Sequence, residues 1–305
     1  MANHNLFFVL LVSFAIGSTL KASADTCPYS PKKLFVFGDS YLDTGNLPHN
    51  ATCWKAPYGI SLGKPNGRQS DGYVLTDYLA QFMGIHTLKP YSRVNASNKA
   101  STLNGVNFAV GGSSLLLNPE CDLKNSIAFV SASINDYFAY YRHFGFPYAP
   151  LSAAVIAQMK ANLQLLYTFG IGKIAVASLP PVGCLPDSAE DRGGCIQALN
   201  DGARSHNEAL RVVVDGLNEG NKEKIVEIVD FYGAFSAAMD EQEKIENKDY
   251  SDPTKRCCEN CEQPGAYTVC DNPSLAFFWD GAHPAQHGWQ LVFNKLKEQL
   301  YRLVA

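Results

Sequence analysis

The stretch Lys33-Leu34-Phe35-Val36-Phe37-Gly38-Asp39-Ser40-Tyr41 decides how the rest of the chain is read. An apolar run of this length, broken by a glycine, reads as a buried strand, and the next turn then exposes a hydroxyl. Far along the chain stands Asp280-Gly281-Ala282-His283. An acid three residues before a histidine lies beside it if the two share one helical turn. Ser40, His283 and Asp280 together supply a nucleophile, a base and a carboxylate to orient the base, the components of hydrolytic acyl transfer.

Working outward, strand-like and helical segments alternate. Ser70 to Met83 reads as a helix capped by Ser70, with Val74, Leu75, Tyr78, Leu79 and Phe82 on one face. Val106 to Val110 is a short strand before Gly111-Gly112, and Ser126 to Ser131 is another. Leu151 to Phe169 is helical and stops at the glycines 170 and 172. Lys173 to Leu179 is a buried strand ended by Pro180-Pro181, Gln197 to Leu217 a long amphipathic helix, and Lys224 to Asp230 a further strand. Pro284 to Leu303 closes the chain as a helix, with Pro284 suited to its first turn. This alternation predicts a three-layer α/β/α domain around a mostly parallel sheet. Reactive groups of such sheets gather at the C-terminal strand edge, where Ser40, Gly111 and Asn135 would meet.

Acyl transfer also needs donors for the developing oxyanion. The Ser40 and Gly111 backbone N–H groups and the Asn135 side-chain amide are candidates. Gly111 reads equally as a strand-ending turn, and Asn135 as the N-cap of a helix over Tyr137 to Tyr141. Arg68 with Asp71 reads as a structural pair; Asp39, Asp43 and Asn46 read as turn-forming hydrogen bonders. His49, His86, His143 and His206 have no partner pattern and read as surface or packing residues.

Residues 1–24 read as a signal peptide, with an apolar run from Leu6 to Leu20 and the cleavage pattern Ala22-Ser23-Ala24. Residues 25–305 then form a single exported domain with no membrane span. Nine cysteines suit an oxidising compartment, and the odd number leaves at least one unpaired. Cys257, Cys258, Cys261 and Cys270 cluster in a Pro/Gly/Asn-rich stretch that reads as a disulfide-stapled loop; it lacks the second C-x-x-C of a zinc site. Asn50-Ala51-Thr52 and Asn95-Ala96-Ser97 are glycosylation sequons. The net charge of −4, without a basic stripe, argues against a nucleic-acid partner. The spacing His283-x-x-x-His287 has Pro284 where a zinc protease carries glutamate, so no metal is expected.

Four blocks in order resemble the GDSL esterase/lipase family, also called SGNH hydrolases, in its plant secreted branch: Phe35 to Asn46, Gly105 to Gly112, Ser133 to Asp136 and Phe278 to Pro284. Pro57-Tyr58-Gly59, Gly67 to Gly72 and Leu179 to Cys184 add to the likeness. The resemblance implies a flavodoxin-like SGNH hydrolase fold and a small ester or lipid substrate. It also implies Ser40 as nucleophile, His283 as base, Asp280 as its orienting acid, and Gly111 and Asn135 completing the oxyanion hole with Ser40. No metal or organic cofactor is required. An acyltransferase using the same triad, or a catalytically impaired binding protein on the same scaffold, are the alternatives. The chain departs from the family pattern twice. Ser133 stands where the third block usually has glycine, and the link from Ser113 to Ser126 is shorter than in relatives.

Overall fold

The computed structural model describes residues 31–86, 88–94, 104–110, 123–144, 149–189, 193–221, 223–263 and 265–304. Five strands, β1 (Lys33–Gly38), β2 (Gly105–Asn107), β3 (Ser126–Ser131), β4 (Lys173–Ala177) and β5 (Val226–Val229), form one sheet in the order β2-β1-β3-β4-β5. Every pairing is parallel; Val36 lies opposite Phe129, and Phe129 opposite Ala175. The fold is thus the expected α/β/α sandwich, with its order change between β1 and β3.

Strands β1, β3 and β4 are apolar on both sides because both sheet faces are covered there. On one face Leu34, Val36, Ile127, Phe129, Ala175 and Val229 pack in the largest core cluster. It also takes residues of several helices, chief among them α1 (Leu75–Phe82), α6 (Phe231–Gln242) and α7 (Gln286–Val304). On the other face Ala128, Val130, Ile174 and Val176 meet two more. These are α3 (Ala149–Thr168), through Met159, Leu163 and Leu166, and α5 (Gln197–Asn218), through Leu210 and Val214. The alternation of neighbouring strand residues between clusters is the period of two that a strand imposes. Among the described residues, the remaining α-helices are α2 (Ile134–Phe144), after β3, and the short α4 (Pro186–Ala189).

Several boundaries differ from the sequence reading. Helix α1 begins at Leu75, not at Ser70: Asp77 accepts the Val74 N–H at 3.0 Å, so the helix is capped from inside. Ser70 is buried and its hydroxyl accepts the Gly72 N–H. Arg68 pairs with Asp77 rather than Asp71, its Nε and Nη2 donating to the two carboxylate oxygens at 2.8 and 2.7 Å. Asp71 instead accepts the Gln286 N–H at 2.6 Å. Strand β2 ends at Asn107, three residues early. Helix α7 begins at Gln286, and Pro284 belongs to an isolated bridge with Phe278. Helix α6 is an addition; the Asp230 carboxylate caps it by accepting the Gly233 N–H at 2.9 Å.

A smaller cluster joins Cys53, Tyr58, Trp279, Ala276 and Ala285 to the cysteine-rich loop. That loop is stapled, as expected, by Cys257–Cys270 and Cys258–Cys261, so these four sulfurs are committed to disulfides and not to a metal. Cys184–Cys195 is a third disulfide, and Cys53 is buried and unpaired. No helix among the described residues is long and apolar enough to cross a membrane.

Candidate active site

Ser40 follows the C-terminal end of β1. Gly38 is required there, because a Cβ would lie 2.2 Å from the Ser131 carbonyl of the neighbouring strand. The chain then turns tightly: Leu42 and Asp43 both donate their N–H groups to the Asp39 carbonyl. Asp39 Oδ1 accepts the Tyr41 N–H at 3.1 Å, and burial pushes the Asp39 carboxyl up to about 6. Asp43 Oδ1 caps the next turn through the Gly45 and Asn46 N–H groups. Asn46 bridges to the Asn107 and Ala109 carbonyls. Asp39 and Asp43 act as turn-forming residues; Asn46 does not, since its side-chain amide ties the turn to distant backbone, accepting the Ser92 N–H as well.

The segment before α7 brings the other two groups. Asp280 and His283 sit in a side-chain-closed turn, not on a helical turn. Asp280 Oδ1 accepts the Ala282 N–H at 3.0 Å and the His283 N–H at 2.9 Å. The spacing of three is right, but an Asx-type turn produces it. His283 Nδ1 lies 2.8 Å from Asp280 Oδ1, and His283 Nε2 lies 2.8 Å from Ser40 Oγ. With the ring proton on Nδ1, Nε2 accepts from the serine hydroxyl. The Tyr41 hydroxyl donates to the Ala282 carbonyl at 2.8 Å, tying the β1 turn to the histidine turn.

The electrostatics are those of an opposed pair. Burial raises the Asp280 carboxyl, but the His283 charge and the hydrogen bonds around it hold it below the ordinary carboxylate value. Burial lowers His283, and the Asp280 charge more than offsets this, leaving the imidazole above its ordinary value. Ser40 and His283 open into a cleft of about 510 Å³, which Ile134, Asn135 and Phe138 of α2 also line. The opposite wall is the disulfide loop, through Cys258, Asn260, Cys261 and Glu262. The sequence gives no hint that this loop borders the same cleft.

Asn135 lies in the first turn of α2 and is not its cap. Ser133, just before it, has φ 93°. A left-handed backbone here is what a glycine would supply without cost. The serine has taken the glycine conformation, so its cost is strain. Ser133→Gly is expected to stabilise the fold by about 1 kcal/mol, raising Tm by about 2 °C with an unchanged ester-hydrolysis rate. Calorimetry beside an assay checks both. Gly111, residues 113–122 of the short link, residues 1–24 and Asn95 lie outside the described residues. Asn50 is exposed in a turn. His206 is not a lone packing residue: it is buried, Tyr137 Oη lies 2.9 Å from its Nδ1, and burial pushes its imidazole down to about 4.

A hydroxyl, an imidazole and a carboxylate hydrogen-bonded in series, at the carboxyl edge of a parallel sheet, form the constellation that serine hydrolases share across unrelated folds. Residues 34–296 match the model of the GDSL-like Lipase/Acylhydrolase family, and the chain belongs to that family, an esterase/lipase class of hydrolases. A GDSL esterase/lipase of Arabidopsis thaliana is 36% identical, over 90% of this chain and 88% of its own length. A second from the same plant is 34% identical, over 97% and 96%. That second alignment runs over 338 positions, more than the 305 residues here, so the relative carries internal residues that this chain lacks. Among solved structures, an acetylxylan esterase mutant from Geobacillus stearothermophilus is similar at 15% identity and a TM-score of 0.47, covering 89% of this chain and 94% of its own.

Proposed function

We propose that this chain is an exported serine esterase that hydrolyses small carboxylic esters or lipids through an acyl-enzyme on Ser40. The observation that carries the reading is the 2.8 Å approach of Ser40 Oγ to His283 Nε2, with His283 Nδ1 held 2.8 Å from Asp280. His283 removes the Ser40 proton as Oγ attacks the ester carbonyl. The Ser40 and Gly111 backbone N–H groups and the Asn135 amide donate to the oxyanion. The tetrahedral intermediate collapses, the C–O bond to the alcohol breaks, and the imidazolium passes its proton to the leaving alkoxide. Water then attacks the acyl-enzyme, giving its proton to His283, and the acid leaves as Ser40 regains a proton. Asp280 keeps the proton of the resting ring on Nδ1 and stabilises the imidazolium. No step calls for a cofactor.

Export is supported by the Leu6 to Leu20 apolar run and by three disulfides, which persist in oxidising compartments. Asn50, exposed, and Asn95 would then carry glycans. The test is a fluorophosphonate probe followed by peptide mass mapping, beside p-nitrophenyl ester turnover. The expected result is one adduct on Ser40 and loss of turnover in step with labelling. A folded, disulfide-bonded protein that neither labels nor turns over esters would overturn the reading.

A further inference from the structure

The Asp280 carboxylate has a contact that the triad does not use. Its Oδ1 is occupied by the Ala282 and His283 N–H groups and by the imidazole. Its Oδ2 accepts the Tyr58 hydroxyl at 3.0 Å, across 222 positions of sequence, and among the described residues otherwise meets only the same ring at 3.0 Å. Tyr58 is 3% exposed, and its ring lies edge-on to Trp279 at 6.3 Å. Its backbone is fixed as well: the Tyr58 N–H donates to the Lys55 carbonyl and the Gly59 N–H to the Ser70 carbonyl. A buried phenol held from both sides, with its hydroxyl on the far oxygen of the acid, is built to fix the plane of that acid.

We infer that Tyr58 is a positioning residue of the reaction, setting the rotation of the Asp280 carboxylate and sharing its charge with His283. The inference rests on the proposed role of Ser40, His283 and Asp280. Burial, with the Asp280 charge beside it, pushes the Tyr58 phenol far above its ordinary value, so the phenol stays a donor throughout the working pH range. Each unit of carboxylate charge engaged by the phenol is withheld from the imidazolium. Removing the hydroxyl therefore frees the carboxylate to rotate, which slows proton transfer, and exposes the imidazolium to more of its charge, which makes His283 more basic. His283 also faces Asp39 and Glu262; Tyr58 also faces Cys53 and Glu262; Asp187, Arg256 and Glu259 line the same cleft. None of these groups changes in the variants below.

The experiment compares kcat, KM and the pH profile of kcat/KM for wild type, Tyr58→Phe and Ser40→Ala on one p-nitrophenyl ester. In Tyr58→Phe we expect kcat to fall about tenfold, KM to stay within about twofold, and the acid limb to move about half a pH unit upward, on the scale of losing a hydrogen bond to a charged group. The ring is retained, so a residue that only packs would leave rate and profile unchanged; that result overturns the inference. If Tyr58→Phe does not fold, 3-fluorotyrosine at position 58 replaces it. Its stronger donor should keep kcat and move the acid limb downward, and an unmoved limb overturns the inference. Ser40→Ala separates the two levels: a dead Ser40→Ala with a wild-type Tyr58→Phe removes only the role of Tyr58, whereas an active Ser40→Ala removes both.

Discussion

Asp280→Asn should lower kcat by about 10⁴-fold while leaving KM and Tm nearly unchanged. The loss follows from hydrogen-bond polarity. In the wild type Asp280 Oδ1 accepts the Ala282 and His283 N–H groups, so the oxygen of an asparagine amide must take that place. The NH₂ group is then left on the Oδ2 side, facing His283 Nδ1 and the Tyr58 hydroxyl. The amide oxygen stays 2.8 Å from Nδ1, but the NH₂ at 3.0 Å offers that nitrogen a donor, which weakens the hold on the tautomer with its proton on Nδ1, and the neutral amide no longer stabilises the imidazolium. Wherever the ring proton moves to Nε2, that nitrogen, 2.8 Å from Ser40 Oγ, donates where it should accept. The volume change is negligible and the backbone bonds to the turn survive, so the fold persists. Steady-state kinetics with calorimetry checks this. A KM increase at constant kcat would instead mark Asp280 as a substrate-binding group.

The sheet was legible in the sequence because its inner strands β1, β3 and β4 are covered on both faces, and such strands appear as bare apolar runs such as Ile127 to Val130. Helices α3 and α5 were legible from periodicity, with ends within two residues of the structure. Helix α6 was not. It starts directly behind β5, carries Gly233 in its first turn, and its cap, Asp230, looked like the end of the strand. Ser70 misled for the opposite reason: it has the composition of a cap, but Asp77 caps from the third helical position. At the site, the residue types and the spacing of Asp280 and His283 pointed to the right neighbours through the wrong local geometry. Tyr58 and the disulfide wall were invisible because their contacts are tertiary. Nothing local distinguishes a tyrosine bonded to an acid 222 residues away from one that merely packs.

The disulfide wall carries the second large effect. The Cys257 N–H donates to the Phe278 carbonyl at 3.0 Å and the Cys258 N–H to the Trp279 carbonyl at 2.7 Å, on the two residues just before Asp280. The ribbon of β6 (Cys258–Glu259) and β7 (Thr268–Val269) therefore buttresses the strand-like segment that presents Asp280 and, after the turn, His283. Cys257–Cys270 closes a loop with a sequence separation of 13, Cys258–Cys261 one of 3. Loop-closure entropy assigns about 3 kcal/mol to the first and about 2 kcal/mol to the second. Set against a total stability of about 5–15 kcal/mol, the longer staple is the more important for folding. Replacing Cys257 and Cys270 together by alanine should lower the stability by about 3 kcal/mol in urea titration, while kcat below the transition falls only in proportion to the folded fraction. Replacing Cys258 and Cys261 together should cost less stability yet raise KM several-fold, because those two residues line the cleft beside Glu262. The two pairs thus predict opposite orders for stability and for substrate binding. If one pair proves the more damaging on both measures, the division into a fold staple and a cleft wall is wrong.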